Sequence, residues 1–227
     1  MEMMIKMEIM ESSEVLNSIA YNAPIFQFLP VLAGILKIKY IPNYIIFLVG
    51  TFLVVAFGDQ VMKYFFDLKY QNMWVSNIMI YMQIPLFLAF FMSLGLKKFI
   101  SKVFLIILFT ILFLFGTYRT FLNGNILDYK KLVYASTCII YMISSFIYLF
   151  DFVISSDLDI SKIPRKIYLT TSIIFYYSIT VGAYFADNPH DGFNQITWLV
   201  RNLTLIIYCT LISIIIWQYK EVVHDKK

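Results

Sequence analysis

Charge is what this chain has least of. Only 14% of its 227 residues are Asp, Glu, Lys or Arg, against roughly 25% in a soluble globular domain. A water-facing coat needs more than that, so a soluble fold is excluded. Histidine is nearly absent: His190 and His224 are the only two, and zinc wants three or four protein ligands. No metal and no cofactor is expected. Cysteine is equally sparse. Cys138 and Cys209 both fall in apolar segments, which excludes a disulfide framework.

Catalytic motifs are missing as well. There is no Gly-x-Ser-x-Gly elbow, no cysteine near a histidine and no Gly-rich phosphate loop, so nucleophilic and phosphate-cradling chemistry lack their parts. The nearest thing to a carboxylate pair is Asp187 and Asp191, in a loop. An enzyme is therefore not expected. Basic residues lie scattered at segment ends rather than in a patch, so nucleic acid is not an expected partner. No internal repeat of the kind found in many transporters is visible. The first 15 residues carry Glu2, Glu8, Glu11 and Glu14 against Lys6. A secretory signal begins with a basic region, so this acidic segment is expected to stay in the mature protein.

What remains is apolar. Hydrophobic residues make up 60% of the chain and aromatics 19%, with a mean hydropathy of +0.76. A bilayer-spanning helix needs about 20 mostly apolar residues. Seven runs meet or approach that length, at about residues 16–36, 43–64, 74–96, 99–118, 132–150, 167–186 and 195–217. The expected fold is an all-α, polytopic membrane bundle of seven transmembrane helices. Residues 218–227 would form a short cytoplasmic tail. The first run is the weakest, because Pro24 and Pro30 interrupt it and tertiary contacts must compensate. Gly95 to Lys98 predicts a tight hairpin between the third and fourth spans.

Lysine and arginine in short loops set orientation. With the N-terminus outside, the inner segments hold Lys37, Lys39, Lys97, Lys98, Lys102, Lys162, Arg165, Lys166, Lys220, Lys226 and Lys227, eleven in all. The outer ones hold Lys6, Lys63, Lys69, Arg119, Lys130 and Lys131, six in all. The expected topology is N-out and C-in, in a cell or inner membrane. Trp74, Tyr118, Trp198, Trp217 and Tyr219 fall near span ends, where aromatic rings prefer headgroup depth.

Polar residues inside spans are costly and mark candidate sites. Asp59 and Gln60 lie in the outer third of the second span, Asn77 and Gln83 in the outer half of the third. Arg119 ends the fourth, and Arg201 and Asn202 lie within two turns of the outer end of the seventh. Asp59 and Arg201 can satisfy one another by paired hydrogen bonds. Alternatively, Asp59 pairs with Lys63, four residues along the same helix. Arg119 can also snorkel to the headgroups. His190, in the turn Asp187-Asn188-Pro189-His190-Asp191-Gly192, would sit at the lip of an outward pocket. The inner halves of the spans are plain.

Two seven-span chemistries are disfavoured residue by residue. A retinal Schiff base needs a lysine in the last span, and Lys220 lies past it. The seven-span zinc hydrolases of the ceramidase and adiponectin-receptor type use several intramembrane histidines, which this chain does not have. The leading expectation is a non-enzymatic sensor, receptor or accessory subunit. Its outward polar pocket, built from Asp59, Gln60, Asn77, Gln83, Arg119, His190, Arg201 and Asn202, takes a small molecule or lipid. Its inner face signals through a membrane or cytoplasmic partner protein, and membrane lipids surround it. The alternatives are a small-solute transporter or channel and, behind that, an intramembrane lipid-modifying enzyme.

Overall fold

A computed structural model describes residues 18–19, 21–122, 131–155, 165–186 and 195–219. Within them the chain is all-helical. A 3-10 segment, Ala23–Gln27, leads into α1, Phe28–Leu36. Then follow α2 (Asn43–Asp67), α3 (Met73–Ser93), α4 (Phe99–Thr117, continued by a π turn, Tyr118–Leu122), α5 (Lys131–Ser155), α6 (Arg165–Ala186) and α7 (Gln195–Trp217).

Among the described residues, five stretches are long and apolar enough to cross a bilayer: Asn43–Asp67, Met73–Ser93, Phe99–Leu122, Leu132–Ile154 and Thr197–Trp217. The chain is thus a multi-pass membrane protein in outline. The first and sixth segments differ from this group for separate reasons. Around the first, Pro24 starts the 3-10 turn and Pro30 falls in the first turn of α1, where its missing N–H is tolerated. The prolines therefore divide the expected 16–36 helix, and the apolar helix that results, Ala23–Leu36, is shorter than the other five. α6 has 22 residues, about 33 Å at 1.5 Å per residue, but it is rich in Ser, Thr and Tyr. Its hydroxyls bond back to its own carbonyls, Thr170 to Lys166, Ser172 to Tyr168 and Thr180 to Tyr176. That removes much of the cost of placing them in hydrocarbon.

Each helix packs against the next in sequence, and α7 closes on α1 and its 3-10 turn. The result is a ring. α3 also touches α5, which leaves α4 at the periphery, the least buried of the apolar helices, while α3 is the most buried. Rings fill the interior: Phe87 stacks on Tyr141 at 3.8 Å, Tyr141 stacks on Phe109 at 6.0 Å, and Tyr177 meets Tyr141 edge-on at 5.2 Å. Small residues permit the closest approaches. A Cβ on Gly34 of α1 would lie 2.5 Å from Val49 of α2.

One end of the bundle is tied by polar contacts from several helices. Gly95 turns the chain between α3 and α4 at φ +88°, a conformation that favours glycine. Lys166 at the start of α6 donates Nζ–H to the carbonyl of Leu94 at 2.5 Å, satisfying an acceptor at the end of α3. Asp151, 3% exposed on α5, accepts from the N–H groups of Lys97 at 2.7 Å and Lys98 at 3.1 Å and from Ser101 Oγ at 3.1 Å. The Lys98 N–H is one of the orphan donors of the α4 start, and the other two groups flank it. Tyr44 at the start of α2 shares a 2.5 Å hydrogen bond with Tyr219 beyond α7. The starts of α2, α4 and α6 and the ends of α3, α5 and α7 therefore meet at this end, as an up-and-down bundle requires.

Candidate ligand-binding cavity

On α2, Leu48, Thr51, Phe52, Val55 and Asp59 are spaced three or four residues apart, so they share one helix face. Gln83 and Phe87 on α3, and Arg201, Leu205 and Tyr208 on α7, follow the same spacing. These faces meet inside the ring. They enclose a cavity lined by Gln27, Leu48, Thr51, Phe52, Val55, Gln83, Phe87, Tyr134, Tyr176, Tyr177, Leu205 and Tyr208. Every helix except α1 and α4 contributes, and the 3-10 turn supplies Gln27.

The space open to the centre of a water molecule is about 30 Å³. One water needs roughly 10–15 Å³ by that measure, so the cavity holds about two waters. Its wall is neutral and rich in tyrosine. Tyr176 and Tyr208 stack at 4.6 Å with planes 4° apart, and Phe52 lies 5.5 Å from Tyr208.

Two buried polar atoms of this wall have no hydrogen-bond partner, Gln27 Oε1 and the Tyr208 hydroxyl. Both residues are 3% exposed. Gln27 is held by its other end: Nε2 donates to Asp59 Oδ2 at 2.7 Å. That bond fixes which way the amide is turned and leaves Oε1 as an unmet acceptor. A buried polar atom without a partner costs about 1–3 kcal/mol, and such atoms commonly mark the place of a water or a ligand.

The charged residues sit one helical turn beyond the cavity, toward the end opposite Gly95. Asp59 follows Val55 by four positions, and Arg201 precedes Leu205 by four. Their expected direct pairing takes a different form. Asp59 is bonded to Gln27, and Arg201 Nη1 donates to the Tyr184 hydroxyl at 3.4 Å. The guanidinium also acts electrostatically on Asp59 and on Tyr134 and Tyr176. Lys63 is not spent on Asp59: its Nζ lies over the Tyr21 ring, 4.3 Å from the centroid.

Of the seven described residues among the eight singled out from sequence, Gln83 alone lines the cavity. Asp59 borders it through Gln27, and Arg201 lies one residue further out, bonded to Tyr184, whose ring packs on the lining Tyr134. Asn77 is buried, and Asn202 is buried with its Nδ2 donating to Trp198 O at 3.0 Å within α7. Gln60 is half-buried. Arg119 is exposed in the π turn that ends α4, where it can reach headgroups. His190 lies outside the described residues, with Asp187 and Asp191.

Comparison with family models, curated proteins and solved structures found no match to this chain. Among the described residues no three His, Cys, Asp or Glu lie together to hold a metal ion.

The sequence reading missed Gln27, Thr51 and the tyrosines. Gln27 did leave a signal, as a lone amide in an apolar run between Pro24 and Pro30. The tyrosines left none, because 17 Tyr among 227 residues cannot be sorted into packing and lining without knowing which helices are neighbours. Asp151 was missed because α5 runs to Ser155, past the expected limit at 150.

Proposed function

We propose that this chain is a seven-span, N-out sensor or accessory subunit that holds a small hydrogen-bonding molecule in its interior and signals through a partner protein. The single observation that carries this reading is the pair of unmet polar atoms, Gln27 Oε1 and Tyr208 OH, on one cavity wall. The layer of Asp59, Gln27, Arg201 and Tyr184 lies between the cavity and the end taken as external. It forms a polar entry, and a guest that broke one of its contacts would change how α1, α2, α6 and α7 meet. Seven spans are supported by the way α1 and α6 complete the ring that the five apolar helices leave open. N-out is supported by the sequence, where the loops read as inner carry eleven basic residues against six in those read as outer. A transporter fits less well, since the rings of Phe90, Phe91, Phe109 and Tyr141 fill the bundle beyond the cavity.

The test is to purify the tagged protein from its native membrane in mild detergent and identify by mass spectrometry what accompanies it. The expected result is a retained small molecule together with a stoichiometric protein partner. The molecule should be depleted about tenfold in Gln27→Leu, since one lost hydrogen bond of about 1.4 kcal/mol is a tenfold change in affinity. Recovery of neither a molecule nor a partner sinks the proposal.

A further inference from the structure

The end of α7 is overlaid by cations from two other elements. Lys37, which follows α1, places Nζ 5.0 Å from the centroid of the Trp217 ring and 5.7 Å from that of Tyr40. Arg165, the first residue of α6, places its guanidinium carbon 4.7 Å from the centroid of Tyr219. That ring is itself fixed by the Tyr44 hydroxyl. Lys166 behaves differently, because its ammonium is already committed to the Leu94 carbonyl.

Lys37 and Arg165 have aromatic faces as partners but no acceptor oxygen among the described residues. A cation over a ring gains attraction without using its N–H donors, so both keep their hydrogen-bonding capacity. Among the described residues, the one carboxyl at this end of the bundle, Asp151, is used by the start of α4. Beside Lys37 the surface is apolar and open: Leu36 is 67% exposed, Ile38 56% and Trp217 57%. Donors for an anion thus lie beside a surface suited to hydrocarbon chains. A free phosphate would use the first feature and leave the second bare.

We propose that Lys37 and Arg165 grip the phosphate of an anionic phospholipid whose acyl chains lie against Leu36, Ile38 and Trp217. This tethers the end of α7 to the leaflet that carries the negative charge. It does not depend on what occupies the interior cavity.

The probe is phosphatidylglycerol against phosphatidylcholine of the same acyl chains, supplied in equal amounts to the delipidated full chain in detergent. Retained lipid is counted by native mass spectrometry. A basic residue near an anionic surface contributes about 1 kcal/mol, or about fivefold. The expected preference for phosphatidylglycerol is therefore about 25-fold, falling about fivefold in Arg165→Gln and again in Lys37→Gln. Arg165→Lys should retain most of the preference. Lys166→Met should keep it and lower the melting temperature, which separates headgroup binding from folding. Equal retention of the two lipids overturns the proposal. So does a preference that survives the double variant, or one lost in Lys166→Met instead. Displacement of phosphatidylglycerol by millimolar inorganic phosphate would assign the site to phosphate alone and also overturn it.

Discussion

Removing the Asp151 carboxyl tests how the ring is held at its basic end. Lys98, the cap residue of α4, offers no side-chain hydrogen bond to its own helix start, so capping comes from α5 instead. Asp151 accepts three bonds, at 2.7, 3.1 and 3.1 Å. Each net hydrogen bond is worth about 1 kcal/mol, which gives about 3 kcal/mol for Asp151→Ala. Asp151→Asn should cost less, about 1–2 kcal/mol, because its one remaining oxygen can keep the Lys98 and Ser101 bonds while its NH₂ opposes the Lys97 N–H. Ser101→Ala alone should cost about 1 kcal/mol, and less than that once Asp151 is already alanine, since residues in one network do not add. The assay is unfolding by added SDS in mixed micelles, followed by circular dichroism. If Asp151→Ala stays within roughly 0.5 kcal/mol of wild type, as an ordinary surface change would, the interhelical cap is not stabilising and the reasoning fails.

Gly34→Ala would place a Cβ 2.5 and 2.8 Å from the two methyls of Val49. Valine is stiff at χ1, so the backbones must part at about 1–3 kcal/mol; the double variant with Val49→Ala should recover most of that loss, read by the same SDS titration. Tyr208→Phe gives a test of sign. A dry cavity would make the variant more stable by removing an unmet hydroxyl, whereas a hydrated or occupied one makes it about 1 kcal/mol less stable; destabilisation is the expected outcome. For topology, an impermeant maleimide on intact cells should label Gln71→Cys and spare Lys39→Cys, with buried Cys138 and Cys209 silent. The reverse pattern would invert the N-out assignment.

The sequence by itself determined that the chain is helical and membrane-embedded. Low charge and 20-residue apolar runs are properties of composition and local order, and hydrocarbon leaves a chain few ways to satisfy its backbone. The limits of α2, α3, α4 and α7 follow the apolar runs to within a few residues. Gly95 was legible because a hairpin between two helices needs a residue tolerant of positive φ. The polar stripe was legible too: Asp59, Gln83 and Arg201 stand out against apolar neighbours. Who partners whom was decided only by the tertiary structure. Asp59 meets Gln27, 32 residues away, and Asp151 caps a helix start 50 to 54 residues earlier. Helical periodicity tells which residues share a face, but a face does not name its neighbour. The closing of α7 on α1 brought Gln27 into the ring, joined it to Asp59 and left its Oε1 facing an interior wall of tyrosines.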